Sequence, residues 1–133
     1  MLVMENITTW IAIIDDEEGI RKALIRLLRS SGLDAYGFSS GKLFFQTMAI
    51  RKPACVVLDL NMPIMSGFEV IDQLAKLAPD IPVIIITGQT VSDRQKTVEL
   101  VHAVKVLNKP INDQELFEVL AELHIIDQQN MCD

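Results

Sequence analysis

Cysteine is scarce in this chain, at two of 133 residues, and the two are poorly placed to act together. Cys55 falls inside an apolar run and Cys132 in the tail, which excludes a disulfide framework and a cysteine metal knuckle. Basic residues are outnumbered, 12 Lys and Arg against 18 Asp and Glu. The resulting net charge of −6 and pI near 4.8 argue against a surface that grips nucleic acid, and they suit a site that wants a cation. Long hydrophobic runs are missing too. Val83-Ile84-Ile85-Ile86 is far short of the roughly 20 residues needed to span a bilayer. Residues 1–10 lack the basic start and apolar core of a signal peptide, so the expected compartment is the cytoplasm, without membrane contact. There is no Gly-x-Ser-x-Gly elbow, no P-loop, no repeat and no low-complexity segment.

What is present is a dense apolar pattern, 50% of residues, enough for one domain with a sizeable core. Residues 1–9 read as a lead-in, 10–126 as the domain and 127–133 as a polar tail. The central stretch is Ala54-Cys55-Val56-Val57-Leu58-Asp59-Leu60-Asn61-Met62-Pro63. Its first half does not alternate with polar residues, as expected of an inner strand of a parallel sheet buried on both faces. It ends on a carboxylate, Asp59, and Pro63 forbids further pairing. Similar runs predict strands over residues 10–14, 34–38, 82–87 and 103–107.

Helices fall between them. Ile20, Leu24, Leu27 and Leu28 share one face, and Gly32 is placed to end that helix. Ser39-Ser40 can cap a short helix carrying Leu43, Phe44, Phe45 and Met48. Ser66 and Glu69 form a capping box, with Met65 and Val70 as its staple. Ser92 and Gln95 hint at another, before a thin stripe of Val98 and Val101. Asn112 caps the last helix, with Glu115 at N3 and Ile111 stapled to Leu116. Five β-α units predict an α/β fold: a doubly wound, flavodoxin-like three-layer (βα)5 arrangement, its five parallel strands ordered 2-1-3-4-5. Strands one and three are then neighbours at the switch point, where ligands bind.

The strand ends carry the chemistry: Asp15 and Asp16, Asp59, Thr87 and Lys109. Crowded carboxylates repel one another, and a hard divalent cation such as Mg²⁺ relieves that. An acid nucleophile, a cation, a lysine and a hydroxyl are the parts needed to accept and hold a phosphoryl group. Taken alone, Asp15-Asp16-Glu17-Glu18 would be an ordinary acidic helix start, and Thr87 or Lys109 an ordinary strand end. Their joint placement is what demotes those readings.

These residues resemble the receiver domain of bacterial two-component response regulators, a CheY-like family, from about Trp10 to Leu123. The motifs are Asp15-Asp16-Glu17, Asp59-Leu60-Asn61-Met62-Pro63 with Ser66-Gly67, Ile86-Thr87-Gly88 and Lys109-Pro110. The resemblance implies a regulatory phosphoacceptor, not an enzyme with a turned-over substrate. Asp59 would take a phosphoryl group from a sensor histidine kinase or phosphotransfer protein. Asp16 would bind Mg²⁺ (or Mn²⁺) directly, Asp15 mainly through water, Asn61 through its carbonyl and Asp59 through its carboxylate. Thr87 and Lys109 would contact phosphoryl oxygens, Gly88 would leave room beside Thr87, and Asn61 and Gln89 would tune hydrolysis. An output domain or downstream protein would read the switch, with homodimerisation on activation one route; Ile86-Thr87-Gly88 resembles the branch often joined to transcription domains.

Two departures stand out. Val106 replaces the family's usual aromatic residue, and His102-Ala103 replaces Gly-Ala. Valine cannot swing as a ring does, so the switch is expected to act through residues 88–102 while Val106 keeps one rotamer. The alternatives are an interaction module that no longer switches, or a flavodoxin-like hydrolase or phosphotransferase. Asp59-Leu60-Asn61 lacks the second acid expected of an aspartate-nucleophile phosphatase.

Overall fold

The computed structural model describes residues 9–62, 67–88 and 105–126. Strands β1 (Trp10–Ile14), β3 (Cys55–Asp59) and β4 (Val83–Thr87) are buried at every position, as their unbroken apolar runs require. β2 (Asp34–Phe38) and β5 (Lys105–Asn108) form the two edges and are more polar. All pairings are parallel and the order is β2-β1-β3-β4-β5, the doubly wound topology expected. Ile14 pairs with Leu58, Asp59 with Ile86 and Thr87 with Asn108, so the polar residues at the strand ends share one rim.

Side-chain alternation along the inner strands sorts the core into two layers. On one face Ile11, Ile13, Val57, Ile84 and Ile86 meet Leu24 and Leu28 of α1 (Glu18–Ser30) and Leu116 and Leu120 of α4 (Asp113–Glu122). On the other, Ala12, Ile14, Val56, Leu58 and Ile85 meet Phe44 and Met48 of α2 (Gly41–Met48) and Val70 and Leu74 of α3 (Gly67–Leu77). No helix of the described residues is long and apolar enough to cross a membrane.

The helix ends follow local chemistry. Gly32, at φ 87°, closes α1: its amide donates to Arg29 and that of Leu33 to Leu28, a Schellman arrangement. Ser40 caps α2 by accepting from Leu43 N at 3.3 Å, and Asn112 caps α4 by accepting from Glu115 N at 3.0 Å. The capping box at Ser66, the staple residue Met65 and the helix expected behind strand four lie outside the described residues.

β5 ends later than expected, at Asn108. Pairing with β4 continues because the Lys109 amide still reaches Thr87 O at 2.9 Å; Pro110, which has no N–H, stops it. The start expected at Ala103 lies outside the described residues.

Candidate functional site

Two inner strands and one edge strand deliver charge to one point of the rim. β1 runs into Asp15, β3 ends on Asp59, and the turn after β5 brings back Lys109. Asp15 and Asp59 are almost completely buried, an arrangement tolerable only with partners. Lys109 Nζ lies 3.4 Å from Asp59 Oδ2, 3.6 Å from Asp15 Oδ2 and 3.0 Å from Glu17 Oε1. One ammonium thus serves three carboxylates.

Backbone amides fix the other oxygens. Asp15 Oδ1 accepts from Glu17 N at 2.9 Å, and Asp59 Oδ1 accepts from Asn61 N at 3.1 Å. Each carboxylate is therefore oriented by the residue two places on, leaving its Oδ2 toward the lysine. Gly67 tightens the rim further: a Cβ there would lie 2.6 Å from Leu60 Cα and 2.8 Å from Asp59 O. Thr87 is fully buried at the end of β4, beside Asp59 in the strand order.

The electrostatics show the strain of this crowding. Burial pushes the Asp59 carboxyl up to about 6; the Asn61 amide opposes the rise, Asp15 adds to it and Lys109 pulls it down. Burial works against charge on Lys109, yet the Glu17 hydrogen bond and the fields of Asp59 and Asp15 outweigh it and raise its pKa. Cys55, by contrast, has its thiol pushed up to about 12 by burial and is inert packing.

Oxygens of Asp15, Glu17 and Asp59 all lie within 4.8 Å of one another. An all-carboxylate donor set of that size fits a hard divalent cation. Glu17, which stands in the motif Asp15-Asp16-Glu17 without an expected role, belongs to this cluster as the N-cap residue of α1. Asp16 is exposed and is not one of the three. Asn61 and Gly88 are exposed beside the site, while Val106 is half-buried in β5, paired with Ile85. Gln89 and His102 lie outside the described residues.

Sequence and fold comparisons agree with this geometry. The family model for the response regulator receiver domain matches residues 11–121. The chain belongs to that family. The response regulator protein TodT of Pseudomonas putida is 35% identical over 129 residues, which cover 95% of this chain and 56% of TodT. Nodulation protein W of Bradyrhizobium diazoefficiens is 36% identical over 81% of this chain and 48% of its own length. The chain thus spans about half the length of the curated relatives it matches. A response regulator receiver protein from Burkholderia phymatum superposes with a TM-score of 0.80 at 31% identity, over 90% of this chain and 97% of that structure. The receiver family is regulatory, and the acidic rim of this member stands where the fold's switch point lies.

Proposed function

We propose that residues 10–126 form a receiver in which Asp59 accepts a phosphoryl group from a histidine kinase or phosphotransfer protein. One observation carries this reading: the Lys109 ammonium is held within 3.6 Å of both buried carboxylates, Asp15 and Asp59. In the transfer, an Asp59 carboxylate oxygen forms the new bond to phosphorus. The bond to the donor's imidazole nitrogen breaks, and that nitrogen leaves with the electron pair. Lys109 would trade its contact with Asp59 for one with a phosphoryl oxygen, and the Thr87 hydroxyl would donate to another. Mg²⁺, or Mn²⁺ in its place, would offset the added negative charge when bound by Asp15, Asp59, Asp16 and the Asn61 carbonyl. Gly88 and Gln89 would border the phosphoryl group, and Asn61 and Gln89 would set its lifetime. Val106 and residues 88–102 would relay the change to an output domain, a downstream protein or a second copy.

Incubation with acetyl phosphate and Mg²⁺, followed by intact-mass measurement, should add one phosphoryl group to the wild type. A chelator should block the gain, and Asp59→Asn should abolish it. Equal labelling of the Asp59→Asn protein would overturn the assignment.

A further inference from the structure

We propose that Arg21 is a positioning residue for the metal-binding loop, and that Gly37 exists to let it reach there. This rests on the receiver reading above. The Asp15 carbonyl heads the peptide that joins Asp15 to Asp16, so its direction sets both acidic side chains. Arg21 NH1 donates to that carbonyl at 2.8 Å. The same residue is tied on its other side, because Asp15 N donates to Phe38 O at 3.1 Å. The loop is therefore fixed to β2 by its amide and to α1 by its carbonyl.

The reach of Arg21 depends on a missing side chain. A Cβ on Gly37, in the neighbouring β2, would lie 2.7 Å from Arg21 Cγ, 2.9 Å from Arg21 Cδ and 2.7 Å from Ile25 Cδ1. The aliphatic stem of Arg21 thus crosses directly over the glycine on its way from α1 to the loop. Arg21→Met keeps an unbranched stem over Gly37 but cannot donate to Asp15 O. Gly37→Ala leaves the arginine in place and displaces its stem, changing no charge.

Charge and position make opposite forecasts for Arg21→Met. Removing a cation near an acidic site should tighten Mg²⁺ binding if the arginine acts only through its field. Losing the anchor of the Asp15 carbonyl should weaken it, by about tenfold if it behaves like other supports behind metal ligands. The test is the Mg²⁺ dissociation constant, fitted from the dependence of melting temperature on Mg²⁺ concentration, for the full chain as wild type, Arg21→Met, Gly37→Ala and the double variant. The expected result is a higher dissociation constant in both single variants and no further rise in the double, since both break one contact.

Tighter or unchanged binding in Arg21→Met would overturn the proposal, as would a wild-type response in Gly37→Ala or additive losses. If Gly37→Ala does not fold, the sign of the Arg21→Met change decides alone. A wild type that melts identically with and without Mg²⁺ would instead count against the receiver-site reading.

Discussion

The two ends of β1 pose the same problem and resolve it differently. At its start, Trp10 is buried and its Nε1 donates no hydrogen bond among the described residues; just beyond its end, Asp15 is buried and its Oδ2 accepts none. Around Trp10 the surroundings are aromatic and cationic: Tyr36 and Phe38 rings at 5.7 and 6.1 Å, and the Arg51 guanidinium 5.7 Å from the ring. Around Asp15 they are carboxylates, the Lys109 ammonium and, on its carbonyl, the Arg21 guanidinium. An orphaned neutral donor costs on the order of 1–3 kcal/mol, which a large buried ring can offset. A buried carboxylate oxygen without a hydrogen bond costs more, and here the Lys109 ammonium at 3.6 Å offsets part of that cost. The stable end of the strand hides its unmet group, whereas the rim at the other end holds its own toward Lys109 and the acidic cluster.

The hardest test of this contrast removes Lys109, the cation paired with all three carboxylates. Lys109→Met should slow phosphoryl transfer to Asp59 by about a hundredfold, the usual cost of losing a fixed donor to developing negative charge. It should also lower the melting temperature without metal, because Asp15, Glu17 and Asp59 then face one another unrelieved. Radiolabel incorporation against time, with melting curves in chelator, would measure both. An unimpaired transfer rate would mean that the cluster around Lys109 is only structural.

Much of this rim was legible in the sequence, since each inner strand is an apolar run stopped by a polar residue. Asp15, Asp59, Thr87 and Lys109 could be assigned to one edge as soon as the order 2-1-3-4-5 was inferred. What escaped depends on where side chains turn after the backbone is placed. Glu17 has no expected role in the motif Asp15-Asp16-Glu17, yet its carboxylate goes to Lys109, 92 residues away. Asp16 is exposed, as Glu17 is, so burial does not tell these two neighbouring acids apart. Arg21 and Gly37 lie on different elements, and nothing in either local pattern shows that one crosses the other. The single available signal was a glycine inside a strand, which often marks a close approach.

A smaller effect should come from pH. In the folded, metal-free protein the Asp59 carboxyl is raised to about 6, above its value in an unfolded chain. Between about pH 4 and about pH 6 the native state therefore holds more protons than the unfolded one, and stability falls as pH rises through that window. In chelator, wild type should melt a few degrees higher at about pH 5 than at about pH 7.5, relative to Asp59→Asn, which lacks the titrating group. Saturating Mg²⁺ should erase that difference, because the cation favours the ionised form. Identical pH profiles for wild type and Asp59→Asn would show that Asp59 carries no electrostatic penalty.

The smallest effect belongs to the other end of the strand. Trp10→Phe removes the pyrrole portion of a ring that is 2% exposed, and with it the Nε1 donor. Shrinking a buried aromatic side chain forfeits apolar burial and leaves a void, a loss on the order of 1–2 kcal/mol for a partial truncation. Against that, the unmet N–H disappears, recovering on the order of 1–3 kcal/mol of desolvation. The two terms nearly cancel, and urea unfolding should find Trp10→Phe within about 1 kcal/mol of wild type. Far-ultraviolet circular dichroism must report it, because Trp10 is the chain's one tryptophan. The Mg²⁺ dissociation constant should not move, since the substitution touches none of Asp15, Glu17, Asp59 or Lys109. A loss well above that range would mean that the indole N–H contributes a contact, and a shifted Mg²⁺ response would mean that the two ends of β1 are coupled through the strand.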